Sequence, residues 1–106
     1  MLDTTPLTAA TDRFADRLRS APQSRLQRGA AAAALALARE LSVRAQRLEE
    51  AGAEPRIMPD AGVFAVADQL TVAAADLVEA WRTAPSEAEL DEAVRLVERT
   101  VAAAKL

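Results

Sequence analysis

The sequence predicts an all-α protein, a four-helix antiparallel bundle built around a long alanine-rich second helix. Alanine, the strongest helix former, occurs 27 times among 106 residues. Apolar residues recur at spacings of three and four along separate segments, which is the period of an amphipathic helix. No segment alternates in the manner of a strand. The predicted helices cover residues about 6–19, 21–51, 61–82 and 87–104.

The composition favours one folded domain over residues 1–106, because 51% of the residues are hydrophobic and the length suits a single domain. The chain has no cysteine, so it has neither a disulfide nor a thiol nucleophile. The first residues carry no basic and apolar pattern typical of a secretory signal. The uncharged run over 29–38 is about half the length that spans a bilayer. We expect a cytoplasmic protein without membrane contact.

The first helix is predicted to begin with Thr5 as N-cap and Pro6 at the first helical position, where a missing N–H costs nothing. Its apolar residues form one narrow stripe, made of Leu7, Ala10, Phe14 and Leu18. The remaining positions are polar, so this helix is expected to keep one face in solvent.

The second helix is predicted to start at a capping box formed by Ser20 and Gln23 and to end at Gly52. As one continuous helix over residues 21–51 it would be a rod of about 46 Å. Its middle is apolar on every side, so we expect other helices or a second copy of the chain to surround it. The predicted interface with a second copy consists of Ala31, Leu35, Ala38, Ser42 and Val43.

Residues 53–59 form the one substantial loop, in which Ile57 and Met58 are expected to tuck under the bundle. Asp60 is the expected N-cap of the third helix. That helix carries an apolar face about 200° wide, which suits contact with two helices at once. Phe64 and Trp81 are interpreted as core or end-cap residues.

A second capping box, Ser86 with Glu89, marks the start of the fourth helix. Its predicted inward residues are Leu90, Val94, Val97, Val101 and Ala104. The connections between the first and second helices and between the third and fourth are short, which predicts that each pair is antiparallel.

The residue types disfavour catalysis and tight metal binding. Histidine, cysteine and tyrosine are absent, which removes the commonest general base, the thiol nucleophile and the imidazole metal ligand. We therefore predict no catalytic residues, no cofactor and no metal. Asp68, Asp76 and Glu79 surround Val72 and could contact a hard cation, but a solvated helix face is the favoured interpretation.

Arginines dominate the charge of the middle of the chain, where seven of them and one acid lie between Arg17 and Arg47. The candidate anion contacts are Arg19, Arg25, Arg28 and Arg39. Such a stripe could contact nucleic-acid phosphates. The net charge of −3 instead favours pairing with the acidic second half, residues 54–106, which carry five bases against ten acids.

The sequence thus favours a non-enzymatic helical-bundle protein that acts through protein–protein interaction, first of all as a homodimer, with another helical protein as the other possible partner. Two alternatives stay open. One is a regulatory module that binds a small apolar ligand in a slot between alanine-rich helices. The other is a weak binder of the nucleic-acid backbone through the arginine-rich surface.

Overall fold

The computed structural model describes all residues from 1 to 106 and contains no strand. The prediction of an all-α four-helix bundle is confirmed. The four main helices are α1 (Thr5–Ser20), α2 (Ala31–Glu49), α3 (Val66–Ala80) and α4 (Glu87–Ala104). A helical turn (Gln23–Arg25) and a kinked segment (Leu26–Ala30) lead into α2. No helix is both long enough and apolar enough to cross a membrane.

The helices pack so that α1 and α2 each contact both α3 and α4. The most extensive packing is between α2 and α3. Two pairs of consecutive helices, α1 with α2 and α3 with α4, lie across the bundle from each other, whereas the consecutive helices α2 and α3 lie side by side. The wide apolar face of α3 explains this arrangement, because it buries side chains against two helices at once.

The prediction of one continuous second helix is wrong for the first third of its length. Gly29 has φ 139° and ψ −19°, far from helical values, and the chain kinks there. The prediction of a capping box at Ser20 and Gln23 is also wrong. Ser20 is the last residue of α1, and its Oγ donates to the carbonyl of Asp16 at 3.0 Å. Pro22 has extended backbone angles, so the chain leaves the helical path there. A straight rod of about 46 Å would exceed the longest dimension of the Cα trace, 40 Å.

Helices of the same chain do not surround α2 completely, and a second copy around it stays a prediction. Ala32 and Ala36 on its outer side are exposed. Their methyl groups are small, so their exposure to water costs little. The helix ends at Glu49, and Gly52 follows with φ 87°, a conformation that suits glycine after a helix end.

The first and third helices begin at other residues than predicted. The N-cap of α1 is Thr4, and Asp3 Oδ1 accepts from the backbone N–H of Thr5 at 3.0 Å. Asp60 caps a turn and not a helix, since its Oδ1 accepts from the N–H of Gly62 at 2.9 Å. The chain forms further turns before α3 starts at Val66.

The start of α4 is confirmed. Ser86 is its N-cap, and the Ser86 Oγ accepts from the backbone N–H of Glu89 at 3.1 Å. The carboxylate of Glu89 accepts from the indole N–H of Trp81 at 3.1 Å, which connects the cap to the end of α3.

One core holds the four helices together. The predicted stripe of α1 is buried in it, whereas Val94, Val101 and Ala104 of the predicted α4 stripe are only half-buried. The largest fully buried side chains include Leu7, Phe14, Leu41, Leu70, Leu77 and Val97. Trp81 is buried there as expected, and Met58 packs against the core. The expectations for Ile57 and Phe64 are wrong, because both side chains are exposed.

Candidate functional site

The five residues of the predicted dimer interface do not form one exposed surface. Leu35, Ala38 and Val43 are buried within the chain, and Ala31 and Ser42 are half-buried. Ala31 and Leu35 line an apolar cavity, whereas Ser42 lines a separate groove. The segment before the kink and α3 pack over the face of α2 that the sequence predicts to be free for a second copy. A charged residue at position 35 would therefore perturb the core.

The candidate anion contacts separate into two pairs. Arg19 Nη2 donates to Asp68 Oδ1 at 2.8 Å, and this hydrogen bond raises the pKa of the Arg19 guanidinium. Arg39 Nε donates to the backbone carbonyl of Met58 at 2.7 Å, so Arg39 holds the loop before α3 in place. Both arginines therefore have structural partners inside the chain.

Arg25 and Arg28 lie at the entry to α2 and form no ion pair in the structure. Together with Lys105, at the end of α4, they line an open groove beside the kink. The contribution of Lys105 depends on the tertiary fold, because 77 residues separate it from Arg28 in the chain. Binding of phosphates by this groove stays a prediction.

The carboxylates on the outer side of α3 do not form a metal site. Asp68 is paired with Arg19, and Glu79 Oε2 lies 3.1 Å from Arg82 Nε. The structure contains no group of three or more histidine, cysteine, aspartate or glutamate side chains placed to hold a metal ion.

The most prominent exposed apolar residues lie near and on α3. Phe64 is 76% exposed, Ile57 62% and Val72 54%. Gln69 and Asp76 lie on the same side of α3 as Val72, three residues before it and four after it. Gln69 Nε2 donates to the Pro59 carbonyl at 2.8 Å, and Asp76 lines a groove with Ile57. Ile57, Phe64 and Val72 are called the α3 apolar surface below.

The sequence only partly predicted the α3 apolar surface. Val72 was expected on the outer side of the third helix, among the acids, and it lies there. Phe64 was assigned to the core or the bundle end. Its spacing of eight residues from Val72 corresponds to about 80° around a helix, and Phe64 precedes the first residue of α3, so helical periodicity does not place the two on one face. The exposure of Ile57 had no signal, because a loop has no periodicity to interpret.

A crevice at the junction of α2, α3 and α4 brings charges of both signs above an apolar floor. Its volume is about 190 Å³. Leu48, Leu77 and Trp81 form the floor, and the charged rim consists of Arg44, Arg47, Glu89 and Glu92. Arg44 is already paired with Glu40 at 3.0 Å.

An apolar pocket, half open to solvent, lies between the kinked segment (Leu26–Ala30), α2 and α3, with a volume of about 270 Å³. Its main apolar lining comes from Leu26, Leu35, Val63 and Val66. Gln69 is part of the wall, and its Oε1 is buried without a hydrogen-bond partner. The sequence predicted a slot for an apolar molecule but no polar group to orient it.

Comparison with known proteins does not assign the chain to a family. No family model, no curated protein and no solved structure matches it. The function is therefore argued from the surfaces of the bundle themselves.

Proposed function

We propose that this chain is a non-enzymatic cytoplasmic protein that acts through protein–protein interaction and forms a homodimer through the α3 apolar surface. The observation that carries the proposal is the exposure of Phe64, Ile57 and Val72 within one short stretch of chain. Scattered single apolar residues are normal on a surface, whereas a cluster of large ones is typical of an interaction site, and the proposal takes these three side chains as one such cluster. Burying a phenylalanine side chain fully stabilises an assembly by about 1.5–3 kcal/mol.

The charges next to Ile57 suit a second copy of the same chain. A two-fold interface brings each residue against a different residue of the identical surface, so the surface must complement itself. Arg56 and Asp76 line the same groove as Ile57. Arg56 of one copy can therefore face Asp76 of the other, and the same pair recurs across the axis.

Most other charges near this surface are already compensated. Asp68 is paired with Arg19 and Glu79 with Arg82. A second copy would thus meet little unpaired negative charge on α3. Arg56 pairs with Glu50 at 3.0 Å, and its side chain is 73% exposed. Such an exposed ion pair contributes little free energy, so Arg56 can leave Glu50 for Asp76 of the other copy at little cost.

The test is the solution mass, measured by light scattering after size exclusion over a hundredfold range of concentration. We expect the parent chain to have the mass of a dimer at high concentration. Val72→Arg and Phe64→Glu should give monomers with an unchanged helical circular dichroism spectrum. Ala102→Arg, at an exposed position of α4, is the matched control and should stay dimeric. A parent that is monomeric throughout, or folded variants that keep the dimer mass, would contradict the proposal.

A charge exchange tests the two-fold geometry. Arg56→Asp and Asp76→Arg should each weaken the dimer, because each places like charges opposite one another across the axis. The double variant should recover the affinity, since the pair is then reversed and not lost. If the double variant loses as much dimer affinity as the two single variants together, the contact between Arg56 and Asp76 is refuted.

A further inference from the structure

The open groove beside the kink brings together three cationic side chains from two distant parts of the chain. Arg25 and Arg28 come from the segment that leads into α2, and Lys105 comes from the end of α4. No acidic side chain lines the groove, and none of the three cations forms an ion pair within the chain. It is called the basic groove below. The fold thus places three unpaired positive charges around one space.

The basic groove has room for a ligand between its cations. Its volume is about 550 Å³, which is comparable with that of small-molecule sites. The rest of its lining consists of small residues, namely Gly29, Ala30, Ala103 and Ala104. Even a Cβ added at Gly29 would meet no heavy atom within 4 Å. No bulky side chain therefore fills the space between the charges.

The negative net charge of the chain does not cancel this local positive charge. The acidic cluster of α4 lies at the other end of that helix, at Glu87, Glu89, Asp91 and Glu92. The helix has 18 residues and is therefore about 27 Å long, well beyond the screening length of about 10 Å at moderate ionic strength. Lys105 also offsets the partial negative charge at the C-terminal end of α4.

The side chains of the basic groove suit a short chain of phosphates. A guanidinium group binds phosphate oxygens in a bidentate manner, and a lysine adds a point charge. Arg25 and Arg28 are three residues apart and Lys105 comes from another helix, so a ligand needs several charged groups to meet all three. No aromatic side chain lines the groove, so the bases of a nucleic-acid strand would have no stacking partner there.

We propose that the basic groove binds a compact di- or triphosphate chain, either inorganic or attached to a nucleoside, through Arg25, Arg28 and Lys105. The three cations each neutralise part of the charge of the phosphates, and the small residues between them let the phosphates approach the backbone. This site shares no residue with the α3 apolar surface, so the proposed dimer and the basic groove can each fail alone.

The experiment titrates the full-length chain with tripolyphosphate, without divalent metal and at low ionic strength. Binding is followed by two-dimensional ¹H–¹⁵N NMR, which resolves the backbone amides. We expect saturable shifts centred on Gly29 and Lys105, and an affinity that falls as salt is added. Orthophosphate should bind about fivefold more weakly, because it meets fewer of the cations. The absence of saturable shifts with millimolar tripolyphosphate would overturn the proposal.

Variants that each remove one positive charge locate the site. Arg28→Gln should weaken tripolyphosphate binding about fivefold, and Lys105→Gln should have a similar effect. Both residues are exposed, so the fold should be kept, which circular dichroism checks. Arg95→Gln is the matched control, because it changes the net charge equally at an exposed position of α4 outside the groove. If Arg95→Gln weakens binding as much as Arg28→Gln does, only the net charge matters and the site is refuted.

Metal-free ATP and a labelled DNA duplex identify the source of the phosphates. Equal affinity for ATP and tripolyphosphate would support a site that contacts phosphates alone, and tighter binding of ATP would identify a nucleotide as the ligand. A duplex that binds more tightly than both, with a steep salt dependence, would overturn the proposal of a compact ligand, because the surface would then follow a long phosphate backbone.

Discussion

Substituting Gly29 by alanine tests whether the kink before α2 is a required part of the fold. The glycine has φ 139°, a value that residues with a side chain rarely adopt. A Cβ placed there meets no heavy atom within 4 Å, so crowding does not contribute to the effect. The cost of Gly29→Ala therefore comes from the backbone alone, and it depends on whether the kink survives.

Both possible responses lower stability. If the kink is kept, an alanine in this region of backbone space costs about 1–3 kcal/mol. If the segment straightens, the better helix propensity of alanine contributes about 1 kcal/mol in favour. Straightening would also change the direction of the segment that carries Leu26, a buried residue, and so move it out of the core. That movement costs about 1.5–3 kcal/mol. We expect a net loss of about 1–2 kcal/mol by either route.

The assay is urea unfolding, followed by circular dichroism and by the fluorescence of Trp81, which is the only tryptophan and is buried. A loss of 1 kcal/mol corresponds to a fall in Tm of about 4–8 °C in a domain of this size. Ala36→Gly, at an exposed position inside α2, is the control and measures the ordinary propensity difference of about 1 kcal/mol. A Gly29→Ala variant that is more stable and more helical than the parent would refute the reasoning, because α2 would then accept a straight path.

Three further predictions test the core, the caps and the first turn. Phe14→Ala should cost about 3–5 kcal/mol in urea unfolding, whereas Phe64→Ala, at a highly exposed site, should change the free energy of unfolding of the monomer by less than about 0.5 kcal/mol. Similar losses from both would mean that Phe64 belongs to the core. Ser86→Ala should lower the free energy of unfolding by about 0.5–2 kcal/mol because it removes a helix cap. Ser20→Ala should lower it clearly less, because Ser20 caps no helix start. Equal losses would argue against these helix boundaries. The pKa of Asp3 is lowered from 3.8, because its carboxylate accepts hydrogen bonds from the hydroxyl and N–H of the residue two places on. Its stabilising effect is thus present above about pH 4 and is lost as the pH falls. Thermal midpoints of Asp3→Ala and the parent should converge in acid, and a difference that stays constant with pH would contradict this origin.

The candidate sites were only partly predictable. Val72 follows from helical periodicity and is exposed as expected. Gln69 carries no signal in the sequence, because its unpaired oxygen arises only when the loop at Pro59 takes the amide nitrogen. The predicted interface residue Leu35 is apolar, but whether another helix of the same chain covers it depends on how the whole bundle packs.

The sequence by itself determined the number of helices, the apolar stripe of α1 and the start of α4 at Ser86. These features depend on interactions within one or two helical turns, so the local pattern suffices. The same capping pattern at Ser20 failed, because α1 continues through that serine and ends in a turn at Pro22. Tertiary structure alone decided the kink at Gly29, since burying Leu26 beside α3 and α4 outweighs a straight helix. It also decided which surfaces stay open, because solvent exposure is a property of the whole packed bundle.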